Sequence, residues 1–440
     1  MRRKLVWALA GLLLGAPAWA AAPSDGPAPI RVGFICPFTG GSADFGNAAR
    51  LGAELAVSEV NQAGGYLGRP LELVARDDKS NPDEGRKIAE ELVQGNKADF
   101  TIGFCNSGVA LKSLEVFQNA HHLLMIPVAT GTALTAQFPP ASSFIFRVSP
   151  RDALQAAFLV DEVQRRGLNK VAVFADKTGY GEGGLKDVER FLAQKSLKPV
   201  YVARFDLGTA SLTTQMREAK AAGAEAIIAY TVGPEMGMLA QSRAEAGVNA
   251  DLLGPWTLAL RSAEDRGGKA LEGAAMVQTI VPDTTLERRT SFIARLHRLR
   301  GKEPLGSLMA AAQSYDAVYL MLGALFQTQG RTDGEALKTA LEHLNRPYSG
   351  VVTTYDQPFS PSDHDAISAN MLWLATWRRG GAALLLPRGR PQGDGHPAQA
   401  GRRALRSGFS PLPGGPPSPA GPGPVPPAGP PAPPAGPPSR

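Results

Sequence analysis

Two short polar motifs each follow an apolar, β-like run, and their residue types suit the binding of a carboxylate. Ser107 follows the run Asp99–Phe104, and we expect it to cap the helical pattern that comes next. The free N–H groups and partial positive charge at a helix N-terminus attract anions. Ala129 and Thr130 follow Leu123–Val128 in the same way and add a hydroxyl and further N–H groups. A second interpretation of Ser107 is an ordinary N-cap with no ligand, the commonest use of serine at that place.

A third motif, Asp176–Gly183, follows the apolar run Lys170–Ala175 and contains Tyr180. Its glycines, with Gly184, also satisfy the Gly-x-Gly-x-x-Gly pattern of dinucleotide sites. In such sites the first glycine follows the strand directly, whereas here three residues intervene and Glu182 would face the pyrophosphate. We therefore do not expect a nucleotide cofactor.

The elements that must position these motifs alternate between strand-like and helical patterns. The predicted strands are Arg31–Ile35, Leu71–Arg76, Asp99–Phe104, Leu123–Val128, Lys170–Ala175, Pro199–Phe205 and Ala224–Tyr230. The predicted helices are Ala48–Gln62, Asp83–Gln94, Gly108–Asn119, Arg151–Arg166, Gly184–Lys195 and Leu212–Ala222. Apolar strands alternating with helices indicate an α/β fold with parallel sheets covered on both faces. Ligands of such sheets bind beyond the carboxyl ends of the strands.

The body of the chain, about 355 residues, is larger than one hydrophobic core usually supports. The strand–helix series restarts at Lys170, after a Pro-marked connection at Arg147–Asp152. A second connection at Thr279–Asp283 precedes a helical region that includes Tyr315–Phe326. We therefore expect two doubly wound lobes with several crossings between them.

The two ends of the chain differ from its body. Arg2, Arg3 and Lys4 precede the apolar run Leu5–Leu14 and then Ala18-Trp19-Ala20, which predicts a signal peptide over residues 1–20. The alternative is an anchor that is never cleaved. Residues 411–440 contain fifteen prolines, so we predict that 380–440 form a disordered Pro/Gly/Arg-rich tail, with an altered reading frame as one origin and a Pro-rich ligand for a partner as the other.

The net charge of +6 does not describe the body of the chain. The leader contributes three positive charges and residues 378–440 a surplus of seven, so residues 21–377 carry −4. A folded body of that sign gives no electrostatic reason to expect nucleic acid as a partner.

Only two cysteines are present, Cys36 and Cys105, and each lies where a predicted strand ends. The two strands would be neighbours in a doubly wound sheet, so an exported protein could bridge these residues. Two buried free thiols are the alternative.

Signals of catalysis are absent from the sequence. There is no Gly-x-Ser-x-Gly, no His-Glu-x-x-His and no phosphate-binding loop, and the six histidines do not form ligand-spaced groups. We expect neither enzymatic activity, nor a cofactor, nor a bound metal.

The polar motifs, in their order and spacing, resemble the ligand loops of the periplasmic leucine/isoleucine/valine-type substrate-binding proteins of ABC transporters. The resemblance covers about residues 30–377 and implies a type I periplasmic-binding-protein fold with three hinge crossings. It implies lobe 1 over 29–147 plus 283–360, and lobe 2 over 150–280 plus 366–379. It also implies that Ser107, Ala129 and Thr130 hold an amino acid's carboxylate.

On the other side of the cleft, the resemblance implies that Tyr180 closes over the ligand and that Phe45 lies near the cleft mouth; for Phe45 a partly buried loop residue is the alternative. The chain departs from the family where the ligand's ammonium group would bind. Trp256 stands where the family has a glutamate, and Val232-Gly233 replace an aromatic residue.

A cation without its carboxylate partner is desolvated at a cost of several kcal/mol. Asp44, Asp176, Glu235 and Asp316 are candidate substitutes, although none matches by position. Trp256 offers instead an apolar or cation–π surface, so specificity is expected to have shifted towards aromatic or aliphatic acids.

The expected function is a monomeric periplasmic binding protein that delivers a small carboxylate or a hydrophobic amino acid to the membrane permease of an ABC importer. Hinge closure around the ligand would be its mechanism. The alternative is a receptor domain of the same fold that senses a similar solute and acts on a regulator or a histidine kinase.

Overall fold

The structure is a computed structural model that describes residues 27–280 and 286–378 and the backbone of 381–384, all of which belong to one compact unit. The predicted signal peptide (1–20), the connection around Pro282 and the Pro-rich segment 411–440 lie outside the described residues. Within the described ranges, no helix combines the length and apolar character that crossing a bilayer requires.

Strands and helices alternate along the chain as the sequence indicates. The first group is β1 (Ile30–Cys36), α1 (Ala43–Gln62), β2 (Leu71–Asp77), α2 (Pro82–Gln94), β3 (Phe100–Gly103), α3 (Ser107–Asn119), β4 (Leu124–Ile126), α4 (Ala133–Ala136) and β5 (Ile145–Arg147). The second group is α5 (Asp152–Arg165), β6 (Val171–Asp176), α6 (Gly179–Gln194), β7 (Tyr201–Phe205), α7 (Thr213–Ala221), β8 (Ala226–Tyr230), α8 (Pro234–Glu245), β9 (Asp251–Gly254), α9 (Arg261–Gly267) and β10 (Ala275–Gln278). The last group is α10 (Glu287–Arg300), α11 (Leu308–Gln327), α12 (Gly334–Glu342), β11 (Tyr348–Ser349), β12 (Thr354–Tyr355), β13 (Trp373–Arg378) and β14 (Gly381–Leu384).

The first sheet has the strand order β2-β1-β3-β4-β5, and all of its pairs are parallel. The central strands β3 and β4 are buried at every residue, and so is the edge strand β5. Helices α10 and α11 pack against α1 and so cover this sheet from a later part of the chain. All the strands point their carboxyl ends to one edge, which is where the polar motifs lie.

The second sheet has the order β14-β13-β10-β9-β8-β6-β7. Strands β10, β9, β8, β6 and β7 are mutually parallel, whereas β13 runs antiparallel to β10 and to β14. The predicted α/β fold with two parallel, doubly wound sheets is confirmed.

The predicted boundary of the C-terminal tail is wrong in one place. Residues 381–384 were expected to be disordered, but they form β14 and pair with β13 from Ala375 to Arg378. The physical reason is that β13 would otherwise be the edge of the sheet, with unpaired backbone groups that a short apolar segment can satisfy. The tail was predicted from its overall composition, which is dominated by prolines farther along the chain, so the composition gave no indication of this short strand.

Two helices, α1 and α6, begin about a turn or more earlier than predicted, and both shifts move a site residue from a loop into a first turn. Helix α1 starts at Ala43, so Phe45 is buried in its first turn. Helix α6 starts at Gly179 because the Thr178 hydroxyl accepts hydrogen bonds from two backbone N–H groups of that turn. Gly184 then serves close packing, since a Cβ there would lie 2.0 Å from the Tyr230 ring.

Candidate functional site

A small cavity lies where the carboxyl ends of the two sheets meet. The first-sheet side contributes residues from α1 and from the loops after β3 and β4. The second-sheet side contributes residues from α6 and from the loops after β8 and β9. The lining residues are Phe45, Cys105, Asn106, Ser107, Val128, Thr130, Tyr180, Val232, Trp256 and Thr257.

Six of the seven predicted ligand residues therefore line one cavity, and Ala129 is the exception. The backbone N–H of Ala129 donates to the carbonyl of Phe104 at 3.0 Å, and its carbonyl accepts from the Ser149 hydroxyl at 2.8 Å. Its N–H group is thus used inside the first sheet and is not free for a ligand. Ala129 fixes the course of the loop that carries Thr130.

Ser107 is not the N-cap that the sequence predicts. Helix α3 begins at Ser107 itself and Asn106 is the N-cap, with no side-chain hydrogen bond to the first turn. The Ser107 oxygen instead accepts from the backbone N–H of Gly131 at 3.0 Å. This bond leaves the hydroxyl hydrogen available, and the helix N–H groups carry no side-chain cap, so this corner of the cavity suits an anion.

Asn106 is a lining residue that sequence reasoning missed. Its amide nitrogen donates to the Ser42 hydroxyl at 2.8 Å, and its Oδ1 atom is buried without a partner. Val128 and Thr257 were also missed. The signal for Asn106 and Thr257 was their position directly beside Ser107 and Trp256 at the ends of strands.

The loop that carries Thr130 is held by a buried arginine. Arg147, the last residue of β5, donates to the carbonyl of Thr130 at 2.9 Å and to that of Gly131 at 2.7 Å. Its other nitrogens bind Asp365 at 2.7 Å and Thr135 at 2.9 Å. One side chain thereby joins the ligand loop to α4, through Thr135, and to the later segment that contains Asp365.

Behind Thr130 lies Asp152, the first residue of α5. Asp152 is completely buried, and its backbone N–H donates to the Thr130 carbonyl at 2.8 Å. The Thr130 hydroxyl lowers the pKa of its carboxyl group, although Oδ2 of Asp152 forms no hydrogen bond of ordinary geometry. Burial raises the pKa of Asp152 to about 8, and the charge of Arg147 only partly opposes this rise.

Tyr180 forms the second-sheet side of the cavity together with Thr257. The two hydroxyls lie 3.4 Å apart, and the Tyr180 ring packs against Tyr230 with ring centroids 5.5 Å apart. Burial raises the pKa of Tyr180 well above its ordinary value, so its hydroxyl stays protonated and can donate.

Trp256 and Phe45 face each other across the cavity. Their ring centroids are 5.5 Å apart, and Trp256 has only 1% of its surface exposed. The backbone N–H of Trp256 donates to the side chain of Gln155 at 3.0 Å, which fixes the loop after β9. This pair makes the opposite end of the cavity aromatic.

The cavity lining contains no aspartate, glutamate, lysine or arginine. Each candidate carboxylate for an ammonium group already binds backbone N–H groups elsewhere. Asp44 accepts from Ser262, Asp176 from Thr178, Glu235 from Gly208, and Asp316 from Val351 and Val352. None of the four lines the cavity.

Cys36 and Cys105 are joined by a disulfide. The bridge ties the end of β1 to the loop that precedes α3, and Cys105 is a lining residue. Among the residues with described positions, no group of histidine, cysteine, aspartate and glutamate side chains could hold a metal ion.

Two doubly wound sheets that meet at their carboxyl ends, with polar and aromatic side chains around a small cavity between them, define a solute-binding protein of the type I periplasmic class. The chain belongs to the periplasmic binding protein family, whose sequence profile matches residues 29–382. The resemblance to the leucine/isoleucine/valine type is thereby confirmed.

Individual proteins agree with this assignment. The Leu/Ile/Val-binding protein homolog 3 of Brucella melitensis is 29% identical over 328 residues, which are 74% of this chain and 86% of the relative. A type 1 periplasmic binding protein from Bordetella pertussis has a TM-score of 0.73 at 22% identity and covers 81% of this chain and 99% of its own. A solute-binding protein of an ABC transporter from R. palustris, solved with 4-hydroxybenzoate, has a TM-score of 0.71 at 19% identity and covers 81% and 95%.

Proposed function

We propose that this chain is the periplasmic solute-binding component of an ABC importer and that it binds a small carboxylate in the cavity between its sheets. The observation that supports this proposal is the composition of the cavity. One corner combines the uncapped N-terminus of α3 with the hydroxyls of Ser107 and Thr130, and the opposite end is formed by Phe45 and Trp256. An anionic head group and an apolar body fit this arrangement.

The proposed mechanism is closure of two lobes around the ligand. Contacts across the cleft support it: the Asp44 carboxylate accepts from the backbone N–H of Ser262 at 2.9 Å, and a Cβ on Gly233 would lie 2.7 Å from the Gly41 carbonyl. A ligand that touches both sides favours the closed form only by the difference in its affinity for the two forms. Groups on both sides of the cavity would provide that difference, because only the closed form brings both sets of groups into contact with the ligand.

The proposed ligand class is an aromatic or branched aliphatic acid for which an α-ammonium group is not required. The lining offers no carboxylate to an ammonium group, so an amine would lose its hydration without full compensation. The relative from B. melitensis is named for leucine, isoleucine and valine, and the R. palustris protein was solved with 4-hydroxybenzoate. Ligands of both kinds have a carboxylate and an apolar body.

We further propose that the ligand is released unchanged to a membrane permease and that the protein acts as a monomer. The lining supports binding without turnover, since it contains no histidine, lysine or acidic side chain. The carboxyl group behind Thr130, that of Asp152, has its pKa raised by burial to about 8 and so is not an ionised base at pH 7. Activation of a hydroxyl nucleophile needs such a neighbouring base.

The test is calorimetry with benzoate, phenylacetate and branched aliphatic acids on the wild-type protein and on the double variant Ser107→Ala/Thr130→Ala. Each lost charge-assisted hydrogen bond contributes about 1.5–3 kcal/mol, so the loss of two should weaken binding by about 3–6 kcal/mol. Ser113→Ala is the matched control, because Ser113 is also buried on α3 but bonds to the helix carbonyl of Val109. Unchanged affinity in a folded double variant would contradict the proposal.

A further inference from the structure

We propose that the buried carboxyl group of Asp152 controls the anion site through the hydroxyl of Thr130, so that carboxylate binding is coupled to the uptake of a proton. The inference rests on the proposed function, because it assumes that Thr130 donates its hydrogen to the ligand. It assigns to Asp152 a positioning role that the cavity lining alone does not reveal.

The geometry places Thr130 between Asp152 and the cavity. Thr130 lines the cavity with 2% of its surface exposed, and Asp152 lies behind it with none. Oδ1 of Asp152 accepts from the Gln155 amide at 3.3 Å. Oδ2 is buried and forms no hydrogen bond of ordinary geometry. The Thr130 hydroxyl is a side-chain donor that acts on this carboxyl group.

A hydroxyl group has one hydrogen to donate, so the Thr130 hydroxyl can donate either to Asp152 or to the ligand, but not to both. When Asp152 is ionised it can only accept, so the Thr130 hydrogen points to it and away from the cavity. When Asp152 is protonated it donates to the Thr130 oxygen, and the Thr130 hydrogen is free for the ligand's carboxylate. An ionised Asp152 also repels the incoming carboxylate, because only Thr130 separates the two charges and the buried surroundings screen charge poorly.

The charged and titratable groups around Asp152 do not remove this coupling. Arg147 is the cation that faces it, but its nitrogens are already bound to Asp365, Thr135 and two carbonyls. Asp187 opposes ionisation, and Tyr180 and Tyr230 are phenols whose pKa burial raises well above its ordinary value. The result is a neutral Asp152 at pH 7, with a pKa of about 8 in the absence of ligand.

The sign of the pH dependence follows. A bound carboxylate raises the pKa of Asp152 further, because like charges disfavour ionisation. Below pH 8 the acid is protonated with or without ligand, and affinity is constant. Above pH 8 the free protein loses the proton that the complex keeps, so affinity falls by up to tenfold per pH unit until the pKa of the complex is reached.

The experiment measures the Kd of phenylacetate, benzoate and 4-methylpentanoate by calorimetry from pH 6 to 10, because these acids have no second titrating group in that range. Wild-type affinity should be flat to about pH 7.5 and should then fall. Asp152→Asn should keep the wild-type affinity of pH 6.5 across the whole range, since an asparagine amide donates permanently to the Thr130 oxygen. Asp152→Ala, which lacks the donor, should bind more weakly at every pH and also lose the pH dependence.

The matched control is Asp78→Asn. Asp78 is another buried acid, with a pKa raised to about 7 by burial, but it does not line the cavity. Its variant should keep the wild-type pH profile. A wild-type profile that stays flat to pH 10, or one that Asp152→Asn leaves unchanged, would overturn the inference.

A second measurement on the wild-type protein covers the case in which Asp152→Asn does not fold. Calorimetry at pH 8.5 in two buffers of different ionisation enthalpy counts the protons taken up, and the expected number lies between zero and one per ligand. If the acids bind normally at pH 6.5 but no proton is taken up at pH 8.5, the coupling is refuted and the proposed anion site is unaffected. Failure of all three acids to bind at pH 6.5 overturns the proposed function as well.

Discussion

Replacing Arg147 by methionine should destabilise the fold by about 3–5 kcal/mol. The guanidinium is fully buried, and removing it leaves Asp365, with a side chain only 6% exposed, without its closest cation. Breaking a buried ion pair by removing one partner generally costs this much, because an uncompensated charge remains. Arg151 lies 3.3 Å from the same carboxylate and offsets part of the loss, so we expect the lower half of the range.

The carbonyls of Thr130 and Gly131 lose their donor in the same variant, so ligand affinity should fall together with stability. Urea unfolding of Arg147→Met, Asp365→Asn and the double variant gives the coupling between the two side chains. The double variant should be less destabilised than the sum of the singles by about 1–3 kcal/mol, as for other residues in one network. The m-values must stay equal for the comparison to hold.

Arg165→Met is the control for the loss of an arginine as such. Arg165 also pairs with a carboxylate, that of Glu162, but its side chain is 64% exposed. Exposed pairs contribute about 0–1 kcal/mol. A loss of less than about 1 kcal/mol for Arg147→Met, or strict additivity with Asp365→Asn, would refute the reasoning.

Three further predictions concern the ligand, the disulfide and the last strand. Because the cavity lining offers no carboxylate to an ammonium group, phenylpropanoate should bind at least as well as phenylalanine in calorimetry, and a tenfold preference for the amino acid (about 1.4 kcal/mol) would contradict this. Replacing Cys36 and Cys105 by serine should lower the free energy of unfolding by about 4 kcal/mol, since the bridge closes a loop with a sequence separation of 69; equal urea midpoints for the two proteins would count against it. A chain that ends at Arg379 lacks β14 and should melt a few degrees below the full chain, because each kcal/mol lost shifts the melting temperature by roughly 2–4 °C, whereas identical melting curves would show that this strand adds nothing.

The alternating architecture could be read from the sequence because long apolar runs carry their own signal. All seven predicted strands are present in the structure, and each overlaps its predicted range. Strands β5, β9 and β10 were not predicted. They are three or four residues long, and so short a run has no periodicity that separates it from a loop.

The cavity residues that directly follow strands could be predicted from the sequence. The side chains that support them from distant parts of the chain could not. Ser107 and Thr130 stand at strand ends, so their meeting follows from the parallel sheet. The roles of Asp365 and Asp152 depend on tertiary contacts, including one between residues 218 positions apart. No local pattern records which carbonyl a distant arginine will bind.

The contact between Phe45 and Trp256 gives the protein an optical reporter of occupancy. The indole and phenyl rings are in contact, with centroids 5.5 Å apart, and both line the cavity. A ligand whose apolar body packs against these rings changes the surroundings of the indole. Indole fluorescence responds to such a change in surroundings, and besides Trp256 only Trp373 and Trp377 emit from within the described residues. Titration of a Trp373→Phe/Trp377→Phe variant would therefore report the filling of the cavity by emission alone, without any added label.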